Sequence, residues 1–161
     1  EVEARATFGH WEGDLINGAA GTGHLVTLVE RKTRYALVGR TQTKEAQEVT
    51  RAIVGLFSKL PFFARRSLTL DNGKEFAGHE TIARRLKMDV FFAYPYHSWE
   101  RGANENVNGL IRRLYPKRSS FAEDDGYQLW QIRRFVNDRP RGCLDWEMPS
   151  EVVAACLGFA P

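Results

Sequence analysis

The stretch Thr7–Val38, TFGHWEGDLINGAAGTGHLVTLVERKTRYALV, decides how the chain is read. It holds three β-prone runs, at 7–16, 24–30 and 35–38, dense in branched and aromatic side chains. The first two are separated by Asn17-Gly18-Ala19-Ala20-Gly21-Thr22-Gly23, whose Asn and Gly tolerate positive φ and so turn the chain. The second and third are separated only by Arg31–Arg34. Links this short join antiparallel neighbours, because a parallel pair needs a crossover of a dozen or more residues.

Beyond this meander the periodicity changes. Ala46, Val49, Ile53, Leu56, Phe57 and Leu60 recur at helical spacing, which predicts a helix over 44–60 with Thr43 as N-cap and Pro61 after its end. Ser67–Leu70 reads as a fourth strand broken by Asp71-Asn72-Gly73. A short helix is expected over 79–87 and a fifth strand over 90–93, followed by a Pro- and aromatic-rich loop to Gly102. Val107, Leu110, Ile111 and Leu114 mark a helix over 103–114 that Pro116 stops. A last long helix is expected over 125–138, with Tyr127, Trp130 and Phe135 among its apolar positions, and a short one near 150–157. Three antiparallel strands followed by alternating helices and parallel strands predict an α/β fold. It is a five-stranded mixed sheet with helices on both faces, the ribonuclease-H-like topology.

At 161 residues, with 43% hydrophobic side chains, the chain fits one domain over 1–161. No apolar run approaches the ~20 residues of a membrane helix, so no membrane partner is expected. Glu1 stands where a start Met would, and the chain is read as a fragment of a longer protein. Cys143 and Cys156 lack metal-site spacing and read as small buried side chains of a cytosolic protein. The net charge of +3 is modest, but the basic residues cluster, as at Arg112-Arg113, Lys117-Arg118, Arg133-Arg134 and Arg139 with Arg141. Such clusters suit a phosphate backbone or a solvated helix face.

Three acids sit where this fold would gather them. Asp14 lies near the end of the first strand, Asp71 directly follows the fourth, and Glu105 opens a later helix after 33 intervening residues. Three carboxylates from separate segments suit two hard cations ~4 Å apart, one for each of the attacking and leaving oxygens of a phosphodiester. Mutual repulsion should leave such a site loose without metal or DNA. Spacing alone also admits plainer roles: Asp71 as a turn residue before Asn72-Gly73, and Glu105 as a solvated acid at a helix N-terminus.

The segments His10–Leu15, Leu28–Arg34 and Asp71–Phe76 resemble the insertion-sequence-thirty family of bacterial transposases. So do Ser98–Arg112 with Pro116-Lys117, and Asn137–Arg141 with Pro149–Glu151. The resemblance spans about residues 9–151, and its Asn-Glu-Asn-x-Asn-Gly run at 104–109 is specific. It implies an integrase-type DDE core with Asp14, Asp71 and Glu105 as catalytic and metal-binding acids, two Mg2+ per site, and Mn2+ as a substitute. It implies cleavage of element ends and strand transfer into target DNA by in-line phosphoryl transfer, in a bacterial cytoplasm and in a homo-oligomeric complex. The amino-terminal DNA-reading region normal in that family is not in this sequence.

Around the acids, Asn72 and Gly73 are expected to shape the turn at Asp71, and Asn72 is also a candidate DNA contact. Asn104 and Asn108 are expected to bond a phosphate or orient Glu105, with helix capping an equal alternative for Asn104. Arg112 and Lys117 are candidate backbone contacts. Trp99 is a base-stacking residue or a loop anchor. His10 and His97 read as structural, and Glu12 and Glu75 are left outside the metal set. Two competing functions stay open: a nuclease of the same fold without strand transfer, and a non-catalytic DNA-binding module of transposase descent.

Overall fold

The computed structural model describes residues 6–94, 102–122 and 126–159. Strands β1 (His10–Asn17), β2 (His24–Glu30) and β3 (Ala36–Thr41) form the meander. Helix α1 (Ala46–Phe57) carries the chain to β4 (Ser67–Leu70), and α2 (His79–Leu86) leads to β5 (Asp89–Phe92). Helices α3 (Gly102–Leu114), α4 (Tyr127–Asn137) and α5 (Pro149–Cys156) follow. The sheet order is β3-β2-β1-β4-β5. β1 and β2, and β2 and β3, are antiparallel, while β4 pairs parallel with both β1 and β5. This is the mixed ribonuclease-H-like sheet expected from the sequence.

Side-chain alternation splits the sheet into two faces. Trp11, Val26, Leu28, Leu68 and Leu70 join Val49, Ile53 and Phe57 of α1 and Ile82 and Leu86 of α2 in one apolar cluster. Ile16, Leu25, Val29 and Val38 join Val107 and Ile111 of α3 and Ile132 and Val136 of α4 in the other. Gly13 is required on the first face: a Cβ there would stand 2.7 Å from Leu70 Cδ2 and 3.2 Å from Leu28 and Leu68. Its absence lets β4 and β2 close on β1 beside Asp14.

Several local expectations are corrected. Helix α1 begins at Ala46, and its N-cap Glu45 makes no side-chain cap bond. Thr43 instead donates its hydroxyl to Glu48, whose carboxylate also takes the amides of Gln42 and Thr43. β3 runs on to Thr41 because Gly39, Arg40 and Thr41 continue the pairing with β2. On α4 the buried positions are Gln128, Ile132, Val136 and Asn137, while Tyr127 and Trp130 are 57% and 51% exposed. Cys143 is exposed and Cys156 half-buried, so neither is the buried side chain expected.

The outer edge of β3 is closed by side chains of α4. Asn137 accepts the Ala36 amide at 2.8 Å and donates to the Ala36 carbonyl at 2.9 Å, pairing with the strand as another strand would. Arg133 donates Nη2 to the Val38 carbonyl at 2.6 Å. Among the described residues no helix is long and apolar enough to cross a membrane.

Candidate active site

The pairing of β1 with β4 fixes two of the acids. His10, Trp11 and Glu12 stand opposite Ser67, Leu68 and Thr69. The ladder ends at Glu12 opposite Thr69, so the chain leaves β4 at Asp71 beside the middle of β1, where Asp14 shares a face with Glu12. Adjacent strands lie ~4.8 Å apart, so Asp14, midway along β1, and Asp71, just past the end of β4, belong to neighbouring strands. Asp71 Oδ1 accepts the Gly73 amide at 2.9 Å, which makes the Asp71-Asn72-Gly73 turn. Asp71 is half-buried and Asn72 exposed.

A polar bracket joins α3 to this end of β1. The register places Thr27 of β2 directly opposite Asp14. The Thr27 hydroxyl is shared between Asn104 Oδ1 and Asn108 Oδ1, each at 3.1 Å. Asn108 then donates Nδ2 to Asp14 Oδ2 at 2.9 Å, while Asp14 Oδ1 accepts the Leu15 amide at 2.8 Å. Asn104 donates its side-chain amide to the Glu12 carbonyl at 2.9 Å, and its backbone N–H to Glu12 Oε2 at 2.9 Å. The second bond satisfies a free donor of the first helical turn with a carboxylate. Glu12 Oε1 takes Arg31 Nε at 3.1 Å. Burial raises the Glu12 carboxyl above the ordinary range, and the Asn104 amide and Arg31 oppose that rise.

Glu105 lies between Asn104 and Asn108 in sequence. At ~100° per residue it points some 60° beyond Asn108 around the helix. It is exposed, in the first turn of α3. The bracket therefore fixes the backbone that carries Glu105 against the strand that carries Asp14, and leaves its side chain in solvent. Among the described residues no three of His, Cys, Asp and Glu form a group positioned to hold a metal ion.

The expected DNA contacts divide. Asn104 is fully buried and its amide is engaged with β1 and β2, so it is corrected from a phosphate contact to a packing and capping residue. Arg112 donates Nη2 to the Asn17 carbonyl at 2.9 Å and Nη1 to the Pro116 carbonyl at 3.3 Å. Its guanidinium ties the end of α3 to the end of β1. Asn108 is half-buried against Asp14, and Lys117 is exposed after α3. Trp99 and His97 lie outside the described residues. His10 Nδ1 meets Ser67 Oγ at 2.7 Å, a structural bond between β1 and β4.

Sequence reasoning passed over Thr27 and the bracing role of Glu12. The signal was present: a lone hydroxyl inside the apolar run Leu25–Val29, and an acid flanked by Trp11 and Gly13 within a strand. Glu30 was also missed; fully buried, it accepts the amides of Gly9, Lys32 and Thr33 and so shapes the β2–β3 turn.

Strand order and the two helical layers define the ribonuclease-H-like class. Within it, the pattern of the family described as integrase core domain matches residues 4–98. The chain belongs to the integrase core domain family. It is 38% identical over 152 residues to the transposase InsI of insertion sequence element IS30A from Escherichia coli strain K12, an alignment covering 94% of this chain and 39% of that protein. It is 41% identical over 150 residues to the transposase of insertion sequence element IS4351 from Bacteroides fragilis, covering 93% of this chain and 46% of that one. The chain thus spans less than half the length of these curated relatives. The crystal structure of the catalytic core domain of BIV integrase superposes with a TM-score of 0.67 at 17% identity, covering 91% of this chain and 94% of that one. At that identity the likeness concerns the fold.

Proposed function

We propose that this chain is the catalytic core of a DNA transposase that cuts element ends and joins them to target DNA. The observation that carries the reading is the parallel pairing of β1 with β4 just before Asp14 and Asp71, beside a helix start that the Thr27–Asn104–Asn108 bracket locks to β1. Asp14, Asp71 and Glu105 offer only carboxylate oxygens, the donor chemistry that suits a hard divalent cation. These three would hold two Mg2+, or Mn2+ in their place; when bound, the ions supply charge stabilisation at both the attacking and leaving oxygens.

The chain's own residues provide the positioning. Asn108 holds Asp14 Oδ2 by a donated hydrogen bond, so that the carboxylate is oriented before substrate arrives. Glu105, exposed and rotatable, closes on the pair from the helix side. Asp71 is aimed by its own turn. The partner is DNA, both element end and target duplex, in the bacterial cytoplasm, and the active complex contains more than one copy because two ends must be handled together.

The test supplies a pre-cut element end, a second duplex and Mg2+ or Mn2+. Joined product is expected, and Glu105→Gln should lower joining at least about a hundredfold, as removal of a transition-state stabiliser does, while sparing DNA affinity. Cleavage without joining would make the chain a nuclease. Calorimetry showing no divalent-metal binding, with or without DNA, would make it an inert DNA-binding module.

A further inference from the structure

Beside Glu105, α3 carries a concavity whose other lining residues the catalytic reading leaves unused. It measures about 250 Å³ and is lined by Glu105, Gly109 and Arg113 of α3 and by Arg139 and Arg141 beyond the end of α4. Gly109 forms an open floor, since a Cβ there would meet nothing within 4 Å. Three guanidinium groups face one carboxylate, so the local charge is positive.

The arginines are held there at a cost. Arg139 lies over the Phe135 ring, 4.5 Å from its centroid, and Arg141 donates Nη2 to the Val136 carbonyl at 3.0 Å. Arg139 Nη1 and Arg141 Nε are buried with no hydrogen-bond partner among the described residues. Burial lowers the proton affinity of Arg141, and the nearby positive charges of Arg139 and Arg34 lower it further. Like charges anchored together by aromatic and carbonyl contacts, with donor capacity left over, form a site that an anion would complete.

We propose that this concavity seats a backbone phosphate of the DNA strand that runs on from Glu105 over the first turns of α3. The assignment rests on the transposase reading for the identity of the anion, since a phosphodiester is the anion that such a chain meets beside Glu105. It gives the Arg139 and Arg141 of the tail motif, and Gly109 of the Asn-Glu-Asn-x-Asn-Gly run, a shared purpose: two supply charge and one supplies room.

The experiment measures binding of a duplex element-end oligonucleotide to the full chain by fluorescence anisotropy, over a series of KCl concentrations and without divalent metal. Arg113→Gln removes one charge from the wall. Gly109→Gln fills the floor without changing charge, and it favours the helix. Arg51→Gln, an exposed residue of α1 on the other face, is the control. Arg113→Gln should weaken binding roughly fivefold or more and lower the salt slope by about 1. Gly109→Gln should weaken it similarly, and Arg51→Gln should leave it unchanged.

Wild-type affinity and slope in both test variants would overturn the phosphate seat while leaving the transposase reading intact. An equal loss in Arg51→Gln would overturn it too, by showing diffuse attraction. No DNA binding by the wild-type chain would sink both the seat and the transposase reading. Displacement of DNA by low-millimolar inorganic phosphate at matched ionic strength would assign the site to free phosphate and overturn the strand.

Discussion

On the face covered by α1 and α2 the sheet meets its helices through hydrocarbon: Trp11, Leu68 and Leu70 pack on Ile53 and Phe57 with the ring of Trp11 edge-on to Phe57. On the face covered by α3 the helix is apolar along Val107 and Ile111, but its N-terminal turn is held by Glu12, Thr27, Asn104 and Asn108. Apolar packing tolerates small slides of one element on another, because it is not directional. Hydrogen bonds with buried ends do not, because a displaced partner leaves a polar group unsatisfied. The difference teaches where this fold needs stability and where it needs register: the first face holds the sheet together, and the second fixes the start of α3 against β1.

Substitutions should separate the two roles. Trp11→Ala removes a fully buried ring and the bond from Nε1 to the Ala64 carbonyl. It should cost about 3–5 kcal/mol in denaturant unfolding, and activity should fall only as far as folded protein does. Glu12→Gln loosens the α3 bracket and takes the counter-charge from Arg31, at about 1–3 kcal/mol.

Glu12→Gln also makes a prediction about pH. The Glu12 carboxyl is raised in the fold, mainly by burial, so the folded state binds the extra proton in the window between the ordinary glutamate range and the raised value. Stability from this group therefore falls as pH climbs through that window and is level above it. The advantage of wild type over Glu12→Gln should be largest on the acid side. Thermal melts of both proteins across the acid range check this, and an advantage that grows with pH would contradict it.

A smaller effect is expected of Thr27→Val, which keeps the shape and loses the donor shared by Asn104 and Asn108. Stability should drop by about 1 kcal/mol, while the metal concentration for half-maximal joining rises severalfold. Thr27→Ser should restore the metal response. A Val variant with wild-type metal dependence would reduce Thr27 to packing. The smallest change belongs to Arg134→Gln, which removes the exposed i,i+4 pair with Asp138. It should shift stability by no more than about 0.5 kcal/mol, and a much larger loss would mean that its stacking on Trp130 matters.

The meander and the alternation of the later elements could be read directly, since short links and side-chain period depend on neighbours in the sequence. Asp14, Asp71 and Glu105 could be picked out as candidate acids, while spacing alone left Asp71 readable as a turn residue and Glu105 as a solvated one, and the resemblance implied their shared role. What pattern could not carry was pairing over long separations. Thr27 meets Asn104 across 77 residues and Asn137 meets Ala36 across 101. Gln128 and Asn137 occupy buried positions on α4 because each satisfies backbone groups outside the helix, at Ser120 and at Ala36. Tyr127 and Trp130 consequently face solvent, stacked on each other. A hydrophobicity count ranks those four residues in reverse. The bond of Arg112 to the Asn17 carbonyl, 95 positions earlier, was out of reach for the same reason.

The amide of Asn137 and the guanidinium of Arg133 turn the rim of β3 into a finished border. A neighbouring polypeptide that tried to extend the ladder there would first have to evict both side chains, and with them the C-terminal half of α4. A lesion at Asn137 should therefore show itself as unwanted self-association before it shows as unfolding.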